Sequence, residues 1–370
     1  MKFTCEKNAL VSAISVASRT VAQKSTIPAL EGIYIRAGVK LTLSGYNLET
    51  GITISVDAEI QQTGACIMPS RLFFDIIRKL PGDTVSISVD EKFKVSIRGG
   101  ISSFSITAMS SEDYPELPEV ESDKGISLPQ NELKAMIGGT SFAVSENQAR
   151  PIHTGCLFEV EDASITVVAV DGYRLALRRW KSEEPIGRTL KFVVPAAALK
   201  EAEKILGDTD EACTFFLGSK HILFTIGEAT LVCRLLEGEF LDWRRVLPQN
   251  QPVKLAVNVA KMTDSIERVG LIISEKLKSP VRCKFGENTA DFRSVSTIGE
   301  AHDVCQIAGD GQDMEIGFNC RYLLDALRAI PDAECSLELI NGLSPIVMNP
   351  CDGSERYSYM VLPVRLKAGE

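Results

Sequence analysis

Ten cysteines and three histidines are the side chains of this 370-residue chain best suited to hold a metal or attack a substrate, and their spacing opposes both roles. The cysteines, at positions 5, 66, 156, 213, 233, 283, 305, 320, 335 and 351, form no C-x-x-C pair, which argues against zinc ribbons and dithiol redox motifs. They read as small buried thiols of a reducing compartment. His153, His221 and His302 lie far apart, leaving little material for a histidine metal site or a triad. Neither G-x-x-x-x-G-K-[ST] nor G-x-S-x-G occurs; Gly309 and Gly311 open a G-x-G-x-x-G pattern that Met314 ends. Carboxylates are plentiful, yet no pair recurs at a spacing that suggests two metals. The expectation is a protein with no catalytic residue, no metal and no cofactor, rather than a nucleotide-processing enzyme.

What remains is the chemistry of recognition. Asp171-Gly172, between two apolar runs, is a hairpin-turn signal, followed by Tyr173 and Arg174. Near the C-terminus Met360, Leu362 and Val364 alternate, and Pro363 among them implies an edge strand or a strand end. An open edge beside such side chains, with a few arginines or backbone groups to orient a ligand, is what a peptide-docking groove needs.

The elements that position these residues come from a unit that occurs three times. In residues 67–83, IMPSRLFFDIIRKLPGD, Pro69-Ser70 start a helix and Pro81-Gly82 stop it. Leu72, Phe73, Ile76, Ile77 and Leu80 form the apolar face, and Arg71, Asp75 and Arg78 the outer one. The unit returns in residues 316–332, where Arg321, Asp325 and Arg328 repeat the charged register 250 positions on and Tyr322, Leu323, Ala326, Leu327 and Ile330 take the buried side. A worn copy at 193–208 lies half-way, with Pro195 at an offset of 126 from Pro69. A period this long means three domains of similar fold. They are placed at 1–122, with a Pro-rich linker closing the first, at 125–249 and at 252–370.

Helices are predicted at 6–22, 70–79, 130–143, 195–206, 258–278 and 319–330, two per domain among roughly eight strands each, an α+β layout. Strands should pair across domain boundaries, because a repeat alone leaves sheet edges open. Lys2, Glu6 and Lys7 stand where a signal peptide needs apolar residues, and no stretch of about 18 apolar residues occurs, so a cytoplasmic protein with no membrane segment is expected.

The net charge of −9 opposes ordinary nucleic-acid binding, but its distribution does not. The six helix windows hold 14 Lys/Arg against 9 Asp/Glu, a balance of +5, so the rest of the chain carries −14. Such a protein neutralises few phosphates and would not hold DNA by counterion release. It would hold DNA by enclosing it, with weakly basic helices lining a closed ring.

With these features in place the sequence resembles the bacterial DNA polymerase III beta subunit, or sliding clamp, family, over its whole length. The most specific stretches are VDGYRLALRR (170–179), EGEFLDWRRVLP (237–248), EIGFNCRYLLDAL (315–327) and the C-terminal YMVLPVRL. The resemblance implies three repeated clamp domains forming half of a closed ring. A head-to-tail homodimer would surround double-stranded DNA without reading its sequence. It implies a processivity factor that tethers the replicative polymerase alpha subunit, the clamp loader delta subunit, and other polymerases and repair proteins through short peptides.

Carried over by position, the peptide groove comprises His153 at its rim, Val170, Gly172, Tyr173, Arg174, Leu175 and Leu177, then Leu241, Arg245 and Val246, then Tyr322, Met360, Leu362, Pro363, Val364 and Arg365. DNA contacts fall on Lys24, Arg71, Asn147, Gln148 and Lys200. Dimer contacts fall on Phe104 and Ile106 of a first-domain edge strand, against Leu271 and Ile272 of a third-domain helix. The family often has proline at Leu241 and tyrosine at Trp243, and basic residues where Ala196, Ala197 and Ala198 follow Pro195, leaving Lys200 and Lys204. The tail 367–370 extends past the family's usual end at Leu366. An alternative is a specialised paralogue that presents the groove as an adaptor without encircling DNA.

Overall fold

The structure, a computed structural model, describes residues 1–121, 123–273 and 279–366. Ser122 in the predicted linker, residues 274–278 at the end of the predicted 258–278 helix, and the tail 367–370 lie outside the described residues. Seven α-helices and 23 strands occur among the described residues. The helices are α1 Lys7–Ala17, α2 Ser70–Lys79, α3 Gln130–Gly138, α4 Ala196–Ile205, α5 Trp243–Val246, α6 Val259–Gly270 and α7 Cys320–Arg328.

Three of the starts are capped by side chains that satisfy otherwise orphaned amides. The Glu6 carboxylate accepts from the Asn8 and Ala9 amides at 3.1 and 2.9 Å. Asn258 caps α6 through the Lys261 amide at 3.0 Å, and Asn319 caps α7 through the Arg321 and Tyr322 amides at 3.0 and 3.3 Å. In α2 and α7 the predicted inward faces hold at their centres: Phe73, Ile76 and Ile77 are buried in one, Leu323, Ala326 and Leu327 in the other. Two first-turn residues depart from that reading. Leu72 is 49% exposed, and Tyr322 is half-buried because its ring meets Tyr173 and the Arg174 guanidinium rather than a closed core. The first and third predicted helices are also shorter, each followed by a 3-10 turn, Ser18–Thr20 and Ser141–Ala143.

The chain divides into two compact units, one of residues 1–134 and 200–235, the other of 135–199 and 236–370. In the first unit, a five-stranded sheet runs Ala58–Gln62, Lys2–Glu6, Thr84–Val89, Lys94–Gly99, Ser102–Thr107. An eight-stranded sheet runs Ile126–Pro129, Ala212–Leu217, His221–Ile226, Ala229–Arg234, Thr50–Val56, Leu41–Tyr46, Gly32–Ala37, Gly64–Pro69. The predicted pairing between repeats occurs here, where Leu231 faces Ile52 and Val232 faces Gly51. The second unit holds a ten-stranded sheet, and there Arg174–Lys181 pairs with Tyr357–Val361, Leu175 opposite Met360. Both crossings are antiparallel, and the fold is α+β.

Eight of the ten cysteines are buried, Cys320 is half-buried and Cys351 is exposed, so the expectation of buried thiols fails at Cys351. Burial pushes the Cys66 and Cys233 thiols up to about 12, which keeps them protonated and inert.

The core of the first unit contains Phe3, Leu10, Ile14, Leu43, Phe73 and Ile77, packing α1 and α2 onto strands from both of its sheets. Gly45 sits where α1 meets the eight-stranded sheet. A Cβ there would fall 2.0 Å from the Ala17 carbonyl oxygen, and the Thr20 hydroxyl donates to the Gly45 carbonyl at 2.8 Å. Backbone faces backbone at this contact, so nothing flexible can yield. Gly45→Ala is therefore expected to lower stability by about 1–3 kcal/mol, the usual cost of overpacking, read as a lower urea midpoint at unchanged slope.

Candidate functional site

The predicted groove residues are carried by the second unit. Strand Arg174–Lys181 alternates faces, so Leu175 and Leu177 share one side and Arg174 takes the other. Val170, Leu175, Leu177 and Met360 are all buried in one apolar cluster with Leu157, Val168, Phe240, Trp243 and Val347. Val246 and Leu362 are partly buried against it. Around this floor stand exposed apolar side chains: Tyr173 is 62%, Leu241 42% and Val364 38% exposed. His153 lies at the same cluster's margin, its ring edge-on to Phe240 with centroids 5.1 Å apart. Burial and the nearby Arg150 hold its pKa below the ordinary histidine value, favouring the neutral ring.

The turn at 171–173 is fixed by its own sequence. Asp171 accepts from the Tyr173 and Arg174 amides at 2.9 and 3.0 Å, and Gly172 takes φ +92°, which a side chain would resist. Arg174 does not face the cluster. It donates to Asp171 at 2.9 Å, to Asp325 at 2.6 Å and to the Phe142 carbonyl at 2.6 Å, and its guanidinium lies 4.4 Å from the Tyr322 ring centre. It is 8% exposed and bound to its own chain. Its part is to pin the turn to α7, and Tyr173 stacks on Tyr322 at 6.1 Å as a result.

The C-terminal stretch also differs from expectation. Tyr357–Val361 is flanked on both sides, by Arg174–Lys181 and Ile346–Pro350, so it offers no open edge. Pro363 lies beyond the strand's end, as its missing N–H requires. The chain there is tied by the Leu362 amide to the Tyr173 carbonyl and by the Val364 amide to the Gly317 carbonyl, each at 2.8 Å. A ligand would meet side chains here rather than an unpaired strand. Arg245 and Arg365 are both exposed, the former 3.0 Å from Asp242.

The sequence reading had no signal for α5. Four residues give no periodicity, and the helix is held by long-range contacts instead. The buried Trp243 indole donates to Glu159 at 3.0 Å, and Arg244 donates to the same carboxylate at 2.8 Å while lying 4.2 Å from the Trp243 ring centre. Trp243 thus becomes the anchor of the segment that covers the cluster.

The remaining predicted positions are scattered. Lys24, Arg71, Asn147, Gln148 and Lys200 are all exposed, with Lys24, Asn147 and Gln148 in loops, Arg71 in α2 and Lys200 in α4. Asn147 serves its own loop by accepting from the Ala149 amide at 2.9 Å. Of the alanines after Pro195, Ala196 and Ala198 are buried. Phe104 is 41% exposed and Ile106 half-buried on the edge strand Ser102–Thr107. Leu271, 82% exposed, and the half-buried Ile272 follow the end of α6 instead of lying on it, because that helix stops at Gly270.

Glu159 is the buried carboxylate that receives both Trp243 and Arg244 of the covering segment. Burial raises its pKa, but the Trp243 indole, Arg244 and Lys191 outweigh that and leave it below the ordinary glutamate value. A carboxylate depressed on folding contributes stability that is full above its unfolded value and lost as pH falls through the folded one. Glu159→Gln should therefore flatten the acid limb of the stability curve, in denaturant melts taken from neutral pH downward, and leave the alkaline limb unchanged.

The comparisons with known proteins agree along the full length of the chain. The family model of the DNA polymerase III beta subunit matches as an N-terminal domain over residues 1–118, a central domain over 127–242 and a C-terminal domain over 244–365. The beta sliding clamp of Staphylococcus epidermidis is 32% identical over 381 aligned residues, covering 99% of each chain. The crystal structure of the DNA polymerase sliding clamp from Bacillus subtilis superposes with a TM-score of 0.94 at 30% identity, over 99% of this chain and 100% of that one. The DNA polymerase III subunit beta from Pseudomonas aeruginosa gives 0.91 at 28% identity, with the same coverage. The threefold repeat and its apolar cluster therefore belong to a member of the DNA polymerase III beta subunit, or beta sliding clamp, family.

Proposed function

We propose that this chain is a processivity factor that encircles duplex DNA and tethers a polymerase to it through the apolar cluster at residues 170–177, 241–246 and 360–364. Membership of the sliding-clamp family along the whole chain is the observation that carries this reading. The charge distribution supports it: a chain of net charge −9 neutralises too few phosphates to hold DNA by contact. A closed ring solves that problem by topology. It assigns Lys24, Arg71, Asn147, Gln148 and Lys200 to the DNA side.

The ring would be a homodimer joined at Phe104 and Ile106 of one protomer and Leu271 and Ile272 of the next. Apolar side chains on an exposed edge strand are otherwise an aggregation hazard, which favours their being covered. The replicative polymerase alpha subunit, the clamp loader delta subunit and other polymerases or repair proteins are the proposed partners, acting in the cytoplasm. None of the described helices is long and apolar enough to cross a membrane.

Two outcomes are expected. Protein loaded on a nicked circular DNA stays bound through gel filtration and runs off once the circle is cut, with little loss over moderate salt. Retention on the linear form, or a steep salt dependence on the circle, would show ordinary electrostatic binding or an adaptor that never encloses DNA. Second, Leu362→Ala combined with Val364→Ala should weaken a docking peptide of the replicative polymerase by about 2 kcal/mol, roughly thirtyfold in Kd by calorimetry.

A further inference from the structure

The face of the ten-stranded sheet that carries Leu177 does not end at the apolar cluster. Registered neighbours continue it across the strands: Leu177 faces Ser358, Met360 faces Val347, Val347 faces Glu338 and Glu338 faces Lys254. Above this strip passes the segment that follows α5, from Leu247 to Gln251. Between strip and segment lies a cavity of about 610 Å³, within the usual range of ligand pockets. Leu177, Trp243, Leu247 and Val347 line the cavity and also belong to, or pack on, the apolar cluster. The cavity therefore abuts the apolar cluster through these four side chains.

Cluster and cavity differ in chemistry. The cluster is apolar. In the cavity the charges are internally matched: Lys254 lies 3.2 Å from Glu338, Arg179 pairs with Glu355, and Arg244 pairs with Glu159 and Glu161 at 2.8 and 3.2 Å. A charged ligand would have to break one of these pairs. The remaining polar lining is uncharged: side-chain amides of Gln249, Asn250 and Gln251 above and Asn349 below, with the hydroxyls of Ser354, Tyr357 and Ser358. Side-chain amides both donate and accept, which matches the alternating N–H and C=O of an extended backbone.

Resting on the docking reading above, we infer that this cavity receives an uncharged polar segment flanking the apolar anchors of the docked peptide, so that the recognition site extends past Leu177 beneath residues 247–251.

The test uses the shortest replicative-polymerase peptide that retains binding, mapped by truncation, and the same peptide extended at each end in turn by Asn-Ser-Gln-Asn. One extension should tighten Kd by roughly five- to tenfold, the worth of one or two net hydrogen bonds. Ser358→Phe fills the cavity from the sheet and Gln249→Trp fills it from the covering segment. Each should abolish the gain from the extension and leave the minimal peptide's Kd unchanged, with thermal unfolding confirming a folded protein; if one variant fails to fold, the other decides. Equal binding of minimal and extended peptides, or a gain that survives both fillers, overturns the inference. Failure of the minimal peptide to bind the unaltered protein would instead overturn the docking reading itself.

Discussion

Unpaired strand edges are what this architecture has to remove. A single repeat ends in strands whose N–H and C=O groups lack partners, and leaving them buried or open is costly. The chain answers by running two of its three described sheets through a repeat boundary. Ala229–Arg234 of the central repeat completes the sheet begun by Thr50–Val56 of the first, and Arg174–Lys181 joins Tyr357–Val361 of the third. The central repeat thereby gives strands to both compact units, and neither unit corresponds to a repeat. Sequence periodicity and physical cooperativity divide this chain at different places. The repeat is a unit of pattern, whereas the sheet is the unit of stability.

That difference explains what the amino-acid pattern conveyed. Local signals were legible wherever one element decides its own structure. Pro69-Ser70 and Asn319 start helices, Asp171-Gly172 makes a turn, and Phe73, Ile76 and Ile77 mark an inward face. Signals failed where a partner far along the chain decides. Asp325 reads as a solvated outer charge in the register of Asp75, yet it receives Arg174 from 151 residues away. Trp243 reads as a variation on a tyrosine, yet its indole finds Glu159, and with it a four-residue helix forms that no periodicity announces. Of the two readings that Pro363 allowed, the strand end holds and the open edge does not: Ile346–Pro350, next to it in sequence, flanks Tyr357–Val361 on one side, but the strand that closes the other side, Arg174–Lys181, comes from far along the chain. Most candidate groove positions came from whole-chain resemblance, since the apolar alternation alone is ordinary strand sequence.

The same accounting bears on charge. Excess cations sit in the helix windows and excess anions elsewhere, with the total at −9. Many of the helix cations are already answered within the chain: Arg78 by Asp75, Arg328 by Glu267 and Lys204 by Glu201. Exposed pairs of this kind are worth little to stability. In the ring proposed above, their effect would be to temper the helix surface so that it attracts a polyanion without gripping it. A protein that must remain on DNA yet move along it needs that weakness, and it then needs some other means of retention.

The apolar cluster is the counterpart of the boundary pairing. Where Arg174–Lys181 meets Tyr357–Val361, two strands distant in sequence bring Leu175, Leu177 and Met360 together on one face. The opposite face is sealed by α7 through Arg174 and Asp325 and by the Tyr359 hydroxyl on the Ala329 carbonyl at 3.1 Å. Among the described residues the only helix on the cluster's own face is the four-residue α5. Its cover is the connecting segment around Trp243, which shields Phe240 and Val347 but leaves Leu241, Tyr173 and Val364 in solvent. A linker can bury only what its length and few anchors allow, so covering a sheet with one leaves an apolar margin. That margin costs stability in the free protein, and the docking proposed above would recover the cost by filling it with a partner's side chains. Joining repeats edge to edge thus leaves an apolar margin at this place before any residue in it is chosen for a particular ligand.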